Sequence, residues 1–136
     1  MTETAMDKRR PKALVLHVDD EQMNRDVTSM LISDFGADAL SASGAAEGIK
    51  IASEQTPDLI IMDVNMPGMD GLEACKALKS NPATKNIPIV MLTARALKED
   101  QDKAFAVGAN DYLTKPLDVN LLFAALEKWL QKPPAQ

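Results

Sequence analysis

Pro57-Asp-Leu-Ile-Ile-Met-Asp-Val-Asn-Met-Pro-Gly-Met-Asp-Gly71 is the stretch on which the fold turns. Leu59 to Met62 is an uncharged apolar run that opens just after a proline. A run this short, bounded by turn formers, predicts a strand buried on both faces, as in a parallel sheet. Asp63 stands where the run stops, and Asn65, Met66, Pro67, Gly68 and Gly71 behind it read as a turn. Open α/β sheets collect their chemistry in the crevice beyond the carboxyl ends of their strands. Asp63 is therefore a carboxylate placed where such a sheet puts its site.

The same pattern repeats on either side. Upstream, Leu14 to Val18 is apolar except for His17 and ends at Asp19-Asp20-Glu21. Met23, Val27, Met30 and Leu31 then recur at helical spacing up to Phe35-Gly36. Ala37 to Ala42 reads as a short, weak strand, and Ser43 as the N-cap of a helix that runs to about Ser53 and carries Gly48 at some cost. Downstream, a helix opens between Met69 and Gly71 and turns Leu72, Cys75 and Leu78 inward before the Asn81-Pro82 loop. Ile87 to Leu92 is a strand with Pro88 near its start, where a missing N–H is tolerated, and Thr93 at its end. A helix over Ala96 to Val107 finishes at Gly108, which suits a left-handed cap. Ala109 to Thr114 is the last strand, leading into Lys115-Pro116, and the final helix over Asp118 to Leu130 sets Val119, Leu122, Leu126 and Trp129 on its core face.

Five strand–helix units in strict alternation predict a parallel sheet with helices on both faces, a (βα)5 flavodoxin-like three-layer sandwich. Its crossovers should be right-handed, and its expected strand order is 2-1-3-4-5, with the switch point between strands one and three. Asp19, Asp20 and Asp63 fall at that switch point. Thr93 and Lys115, at the ends of strands four and five, face the same crevice.

The bulk properties fit one domain. The chain has 136 residues, 46% of them hydrophobic and only 4% aromatic, so its core is built from Leu, Ile, Val, Ala and Met. We expect a flexible leader over 1–11, the domain over 12–131 and a short tail over 132–136. The basic N-terminus has no apolar segment behind it and is not a secretion signal. No window approaches the roughly 18 apolar residues of a membrane span. A net charge of −5 without a basic stripe argues against nucleic-acid binding, which draws most of its affinity from phosphate neutralisation. A single cysteine, Cys75, rules out an internal disulfide and a cysteine zinc site, which points to a reducing cytoplasm.

Three carboxylates meeting in one pocket stay ionised together only when a cation joins them. An all-oxygen site with open positions suits Mg²⁺, with Mn²⁺ as a substitute. Asp20 and Asp63 are the side-chain ligands expected, the Asn65 backbone carbonyl is a third, and Asp19 acts directly or through water. A carboxylate is also a nucleophile that forms an aspartyl-phosphate. Phosphoryl transfer needs mostly positioning and charge neutralisation. A metal covers one phosphoryl oxygen, the Lys115 ammonium a second, and the Thr93 hydroxyl donates to the third.

Taken together, Val18-Asp19-Asp20-Glu21, the run Asp63 to Gly71, Leu92-Thr93-Ala94 and Tyr112-Leu-Thr-Lys-Pro116 make the chain resemble a response-regulator receiver domain of bacterial two-component signalling over about residues 12–131. The resemblance implies that Asp63 accepts a phosphoryl group from a histidine kinase or a histidine phosphotransfer protein. It implies Mg²⁺ on Asp20, Asp63 and the Asn65 carbonyl, with Asp19 completing the acidic pocket. Lys115 pairs with the phosphate, and the Lys115-Pro116 bond is expected to be cis. Thr93 and Tyr112 become a switch pair that moves inward on phosphorylation and changes the surface of the fourth helix, fifth strand and fifth helix toward a downstream protein. Such a domain is a signalling module rather than an enzyme, although it contributes to its own phosphorylation and dephosphorylation, and Asn65 and Arg95 occupy the positions that influence hydrolysis. The implied state is a monomer or a weak phosphorylation-dependent dimer, binding neither nucleic acid nor membrane.

Some features stand apart from the family pattern. His17 takes a place that is usually apolar, and its ordinary reading is a hydrogen-bonded strand residue rather than a pH sensor. Glu21-Gln-Met-Asn24 resembles receivers of hybrid kinases and relays more than those of transcription factors. If the protein ends at Gln136, output is expected through protein contact or onward phosphotransfer. Plainer roles exist for single residues: Asp19 as a helix cap, Cys75 as a small buried hydrophobe, Trp129 as a lid on the core, and Lys98 to Lys103 as a solvated helix face. The competing function is an aspartyl-phosphate phosphatase of haloacid-dehalogenase type. It wants a second Asp two residues after the nucleophile, where this chain has Asn65, and it places the nucleophile on its first strand. A flavodoxin would need a Ser/Thr/Gly-rich phosphate loop where this chain has acids.

Overall fold

The computed structural model describes residues 12–94 and 97–130. The expected leader and tail, the start of the fourth helix at Ala96, and Arg95 lie outside the described residues. In chain order the elements are β1 (Leu14–Val18), α1 (Gln22–Phe35), β2 (Asp38–Ala42), α2 (Ala45–Gln55), β3 (Leu59–Asp63), α3 (Gly71–Lys79), β4 (Ile89–Thr93), α4 (Lys98–Ala106), β5 (Asp111–Thr114) and α5 (Val119–Trp129). The sheet runs β2-β1-β3-β4-β5 and every pairing in it is parallel, as the alternation predicts.

β1, β3 and β4 are buried at every position, which is why they read as unbroken apolar runs. The edge strands β2 and β5 are shorter of apolar residues because one flank of each faces water. Strand alternation splits the core in two. On one face Leu16, Val18, Ile60, Met62 and Met91 pack against Ala52 of α2, Cys75 and Leu78 of α3 and Ala104 of α4. On the other, Val15, Leu59, Ile61 and Val90 pack against Ile32 of α1 and against Leu122 and Leu126 of α5. The result is three layers with the sheet between two helical faces.

Local expectations differ from the structure in several places. On α1 the core face is Thr28 and Ile32, with Leu31 and Phe35 half-buried, whereas Met23, Val27 and Met30 are 76%, 47% and 62% exposed. Two apolar stripes of equal spacing overlap on this helix, and periodicity alone does not choose between them. On α5, Val119 is exposed and Ala125 joins Leu122 and Leu126 inside. Trp129 is a half-buried lid whose indole Nε1–H donates to Asp111 Oδ2 at 2.8 Å, tying the end of α5 to the start of β5. The cap of α2 is Gly44, not Ser43; Glu47 instead accepts from the Ser43 N–H and hydroxyl, which lowers its pKa. Gly48 earns its place by proximity, since a Cβ there would sit 2.8 Å from Val18 Cγ2. Gly108 takes the expected left-handed conformation, φ +104°, just past the Val107 cap of α4. A reciprocal capping box of Asp70 and Glu73, which the sequence reading did not single out, explains why α3 starts at Gly71. Among the described residues no helix is long and apolar enough to cross a membrane.

Candidate functional site

The parallel register delivers the site. β1 and β3 are neighbours, with Val18 opposite Met62, so Asp19 and Asp63 emerge side by side at the carboxyl rim. β4 and β5 bring Thr93 and Thr114 level, and the Lys115 N–H donates to the Thr93 carbonyl at 2.7 Å, which sets Lys115 beside the same rim. Asp19, Asp20 and Asp63 each offer a carboxylate oxygen within 4.8 Å of the others. Asp19 and Asp63 are each 1% exposed, whereas Asp20 faces water. Lys115 Nζ lies 3.1 Å from Asp63 Oδ1 and 3.7 Å from Asp19 Oδ2. The Lys115-Pro116 peptide is cis, as expected.

Each carboxylate is held locally. Asp19 Oδ1 accepts from the Glu21 N–H at 2.9 Å at the start of α1, so its helix-capping role and its place in the acidic cluster coexist. Arg25 reaches back to the Asp19 carbonyl at 2.8 Å. Asp63 Oδ1 accepts from the Asn65 N–H at 3.2 Å, which turns the chain sharply after β3. Burial raises the Asp63 pKa, and the Lys115 hydrogen bond and charge pull it partly back. A bound divalent cation would favour the ionised form further.

These residues fit a magnesium ion. The donors are all oxygen, one side of the cluster is open through Asp20 for retained waters, and Asp19 Oδ2 is a buried acceptor with no hydrogen-bond partner among the described residues. Asn65 is exposed on the loop beside the cluster.

Two hollows flank the rim, one on each side of the sheet. Toward α1 and α5, a groove of about 270 Å³ is lined by Asp19, Met23, Val27, Lys115, Pro116 and Leu117. Toward α3 and α4, a smaller pocket of about 180 Å³ is lined by Asn65, Asp70, Thr93, Asp100, Lys103 and Tyr112. Thr93 is 3% exposed and Tyr112 half-buried, and both open onto that second pocket. Asp100 and Lys103 thus belong partly to a cavity wall, where their charged run reads only as a solvated face.

His17 departs from its ordinary reading. It is fully buried, yet neither ring nitrogen has a hydrogen-bond partner among the described residues; Nε2 lies 3.7 Å from Asp19 Oδ2. Burial lowers its pKa from 6.5 to about 4, against the opposing pull of Asp19. The imidazole is therefore neutral at pH 7. Because the folded value lies below the unfolded one, the unfolded chain binds the extra proton first as pH falls. The stabilisation is complete above pH 6.5 and drains away between 6.5 and 4, by about 3 kcal/mol in all. Protonation of Asp63 acts in the opposite sense, so the comparison that isolates His17 is with His17→Leu. Urea unfolding at pH 7 and pH 4 should show wild type losing more stability than His17→Leu; equal losses would refute the assignment.

The chain is similar to known proteins over most of its length. A family model described as the response regulator receiver domain matches residues 15–127. The chain is 39% identical to the response regulator PleD of Caulobacter vibrioides over 115 residues, which is 82% of this chain but 25% of PleD, so it spans a quarter of that relative's length. The chemotaxis protein CheY4 of Vibrio cholerae superposes with a TM-score of 0.83 at 36% identity, covering 87% of this chain and 98% of that one. The receiver domain of the sensor histidine kinase PA1611 of Pseudomonas aeruginosa superposes with a TM-score of 0.81 at 28% identity over 88% of this chain and 98% of its own, and its active-site cleft coordinates a magnesium ion. With the order of its strands, its acidic rim and these matches in agreement, the chain belongs to the response regulator receiver domain family.

Proposed function

We propose that this domain takes a phosphoryl group on Asp63 from a phosphohistidine of a sensor kinase or a histidine phosphotransfer protein, and thereby changes the protein-binding preference of its α4-β5-α5 face. The observation that supports this most directly is Lys115 Nζ 3.1 Å from Asp63 Oδ1, inside a cluster of three carboxylates. Asp63 attacks phosphorus; the new P–O bond forms as the P–N bond breaks, and the imidazole leaves with that electron pair and is protonated. When bound, Mg²⁺ offsets the charge gathered on the transferring group; Asp20, Asp63 and the Asn65 carbonyl would hold it, with Asp19 completing the pocket. Lys115 pairs with a second phosphoryl oxygen, and the Thr93 hydroxyl donates to the third. Water later attacks the acyl phosphate and releases inorganic phosphate, so the domain serves as a switch rather than a turnover enzyme.

Coupling to the output face runs through the smaller pocket. Thr93 drawn toward the phosphoryl group leaves room on the α3/α4 side, and Tyr112, which borders the same space, fills it. A pre-existing equilibrium shifts by the difference in affinity of its two states for the modification. Exposed Leu97 and Phe105, flanking and within α4, and Leu121 of α5 give the output face apolar contact area. Incubation with acetyl phosphate and Mg²⁺ followed by intact mass tests the chemistry. One phosphoryl adduct that maps to Asp63 is expected; turnover of sugar phosphates with no adduct would replace this reading with a phosphatase.

The donor is expected on the opposite side. Met23, Val27 and Met30 make an exposed apolar stripe along α1, and the 270 Å³ groove beneath it opens onto Asp19 and Lys115. An amphipathic helix carrying the phosphohistidine can lay its apolar face there. Val27→Asp places a charge in that contact. We expect its phosphorylation by a phosphohistidine protein to fall at least about tenfold relative to its phosphorylation by acetyl phosphate, as for a loss near 1.4 kcal/mol. An unchanged ratio of the two rates would move the donor elsewhere.

A further inference from the structure

The phosphoryl chemistry assigns no task to His17, yet its ring abuts the acidic cluster. His17 and Asp19 are two residues apart, and strand alternation turns both toward the α1/α5 side of the sheet. His17 Nε2 and Asp19 Oδ2 are both buried and both without a hydrogen-bond partner among the described residues, and they face each other at 3.7 Å. Leaving a buried acceptor unpaired costs about 1–3 kcal/mol. A closure of about 0.8 Å would turn the contact into an ordinary N–H···O bond.

The other neighbour of that oxygen is Lys115 Nζ, also at 3.7 Å and shared with Asp63. Lys115 cannot serve Asp19 and a phosphoryl oxygen equally. Once its ammonium moves to the phosphoryl group, Asp19 Oδ2 gives up that charge contact, while His17 Nε2 stays beside it and the Arg25 guanidinium is engaged with the Asp19 carbonyl. Asp19 Oδ1 is already committed to the Glu21 N–H. A carboxylate left this way would swing, and it would take the start of α1 and the ion-binding geometry with it.

We propose that His17 is a positioning residue for the ion site: its imidazole donates Nε2–H to Asp19 Oδ2 and fixes the carboxylate while Lys115 engages the phosphoryl group. The inference rests on the reading of Asp63 as phosphoryl acceptor with Mg²⁺ beside it. Hydrogen-bond partners of metal-binding groups are worth about 10–100-fold in metal affinity, and that is the scale of effect expected here. An apolar side chain at this position fills the space but offers no donor.

The test uses the full chain, as wild type, His17→Leu and His17→Gln. Gln keeps an N–H donor at about the reach of Nε2; Leu keeps the volume alone. Mg²⁺ affinity by calorimetry should weaken about tenfold in His17→Leu and stay within about threefold of wild type in His17→Gln. With acetyl phosphate, half-saturating Mg²⁺ should rise in His17→Leu while the rate at saturating Mg²⁺ changes little. Nitrogen NMR of wild type should show Nε2 protonated and Nδ1 bare, a readout that needs no variant to fold. Mg²⁺ affinity in folded His17→Leu within about twofold of wild type, or a dominant Nδ1–H tautomer, would overturn the inference and leave the Asp63 reading intact. Wild type that binds no Mg²⁺ at all would overturn both.

Discussion

Asp63→Asn yields a folded protein to which acetyl phosphate and Mg²⁺ add no phosphoryl group. The substitution keeps shape and removes the nucleophile, since an amide oxygen does not displace at phosphorus under these conditions. The loss should be on the order of 10³-fold or more, to background. Stability should not suffer. Burial holds the Asp63 pKa above its ordinary value, so the ionised carboxylate is disfavoured in the fold, and a neutral amide is free of that penalty. Lys115 keeps Asp19 Oδ2 at 3.7 Å as a counter-charge. Intact mass and thermal unfolding check both halves. An undiminished adduct on Asp63→Asn would place the acceptor on another side chain and dismantle the proposed mechanism.

Gly71→Ala has the largest expected effect on folding. A Cβ at Gly71 would lie 2.2 Å from the Asp63 carbonyl oxygen and 2.9 Å from Asp63 C and Val64 Cα. All of these are backbone atoms, so no side chain can rotate aside. The Gly71 N–H also donates to the Val64 carbonyl at 2.9 Å, which closes the loop tightly over the end of β3. Relief requires the loop to shift by about 1 Å, and overpacking of this kind costs about 3 kcal/mol or more. A domain of this size should lose about 10 °C in melting temperature. Displacing Asp63 and Asn65 by a similar distance should slow phosphorylation about a hundredfold. Gly44→Ala is the control, because a Cβ there meets nothing within 4 Å and its φ of −170° is ordinary extended backbone. Wild-type stability in Gly71→Ala would show that the loop is looser than its packing indicates.

Much of the site could be read from sequence because a parallel βα repeat puts every strand end on one rim. Asp19, Asp63, Thr93 and Lys115 are far apart in the chain, yet the first three each follow an apolar run and Lys115 follows the edge strand β5, so the alternation brings them together. The helices were harder. α1 carries two apolar stripes, and the one that includes Met23, Val27 and Met30 lies outside, which only the sheet's position decides. Gly71 reads as a turn former, but what demands glycine there is the closeness of the Asp63 carbonyl, a relation between backbones that composition does not record. His17 was visible as an oddity in an apolar strand; that its ring nitrogens and Asp19 Oδ2 would all lack partners follows from packing on both sides. By contrast, the Asp70–Glu73 capping box was fully encoded in local spacing.

Cys75 packs on the inner side of α3 with 0% exposure, its Sγ 3.6 Å from the Val107 carbonyl at the end of α4. Burial pushes its thiol pKa up to about 11. Native protein should therefore resist alkylating and disulfide reagents, which need a thiolate within reach. The lone thiol becomes a stopwatch built into the chain: its labelling rate counts how often the α3–α4 seam opens, and it does so without adding a second cysteine. Donor, ion and acyl phosphate can each be ranked by how far they slow that one reaction.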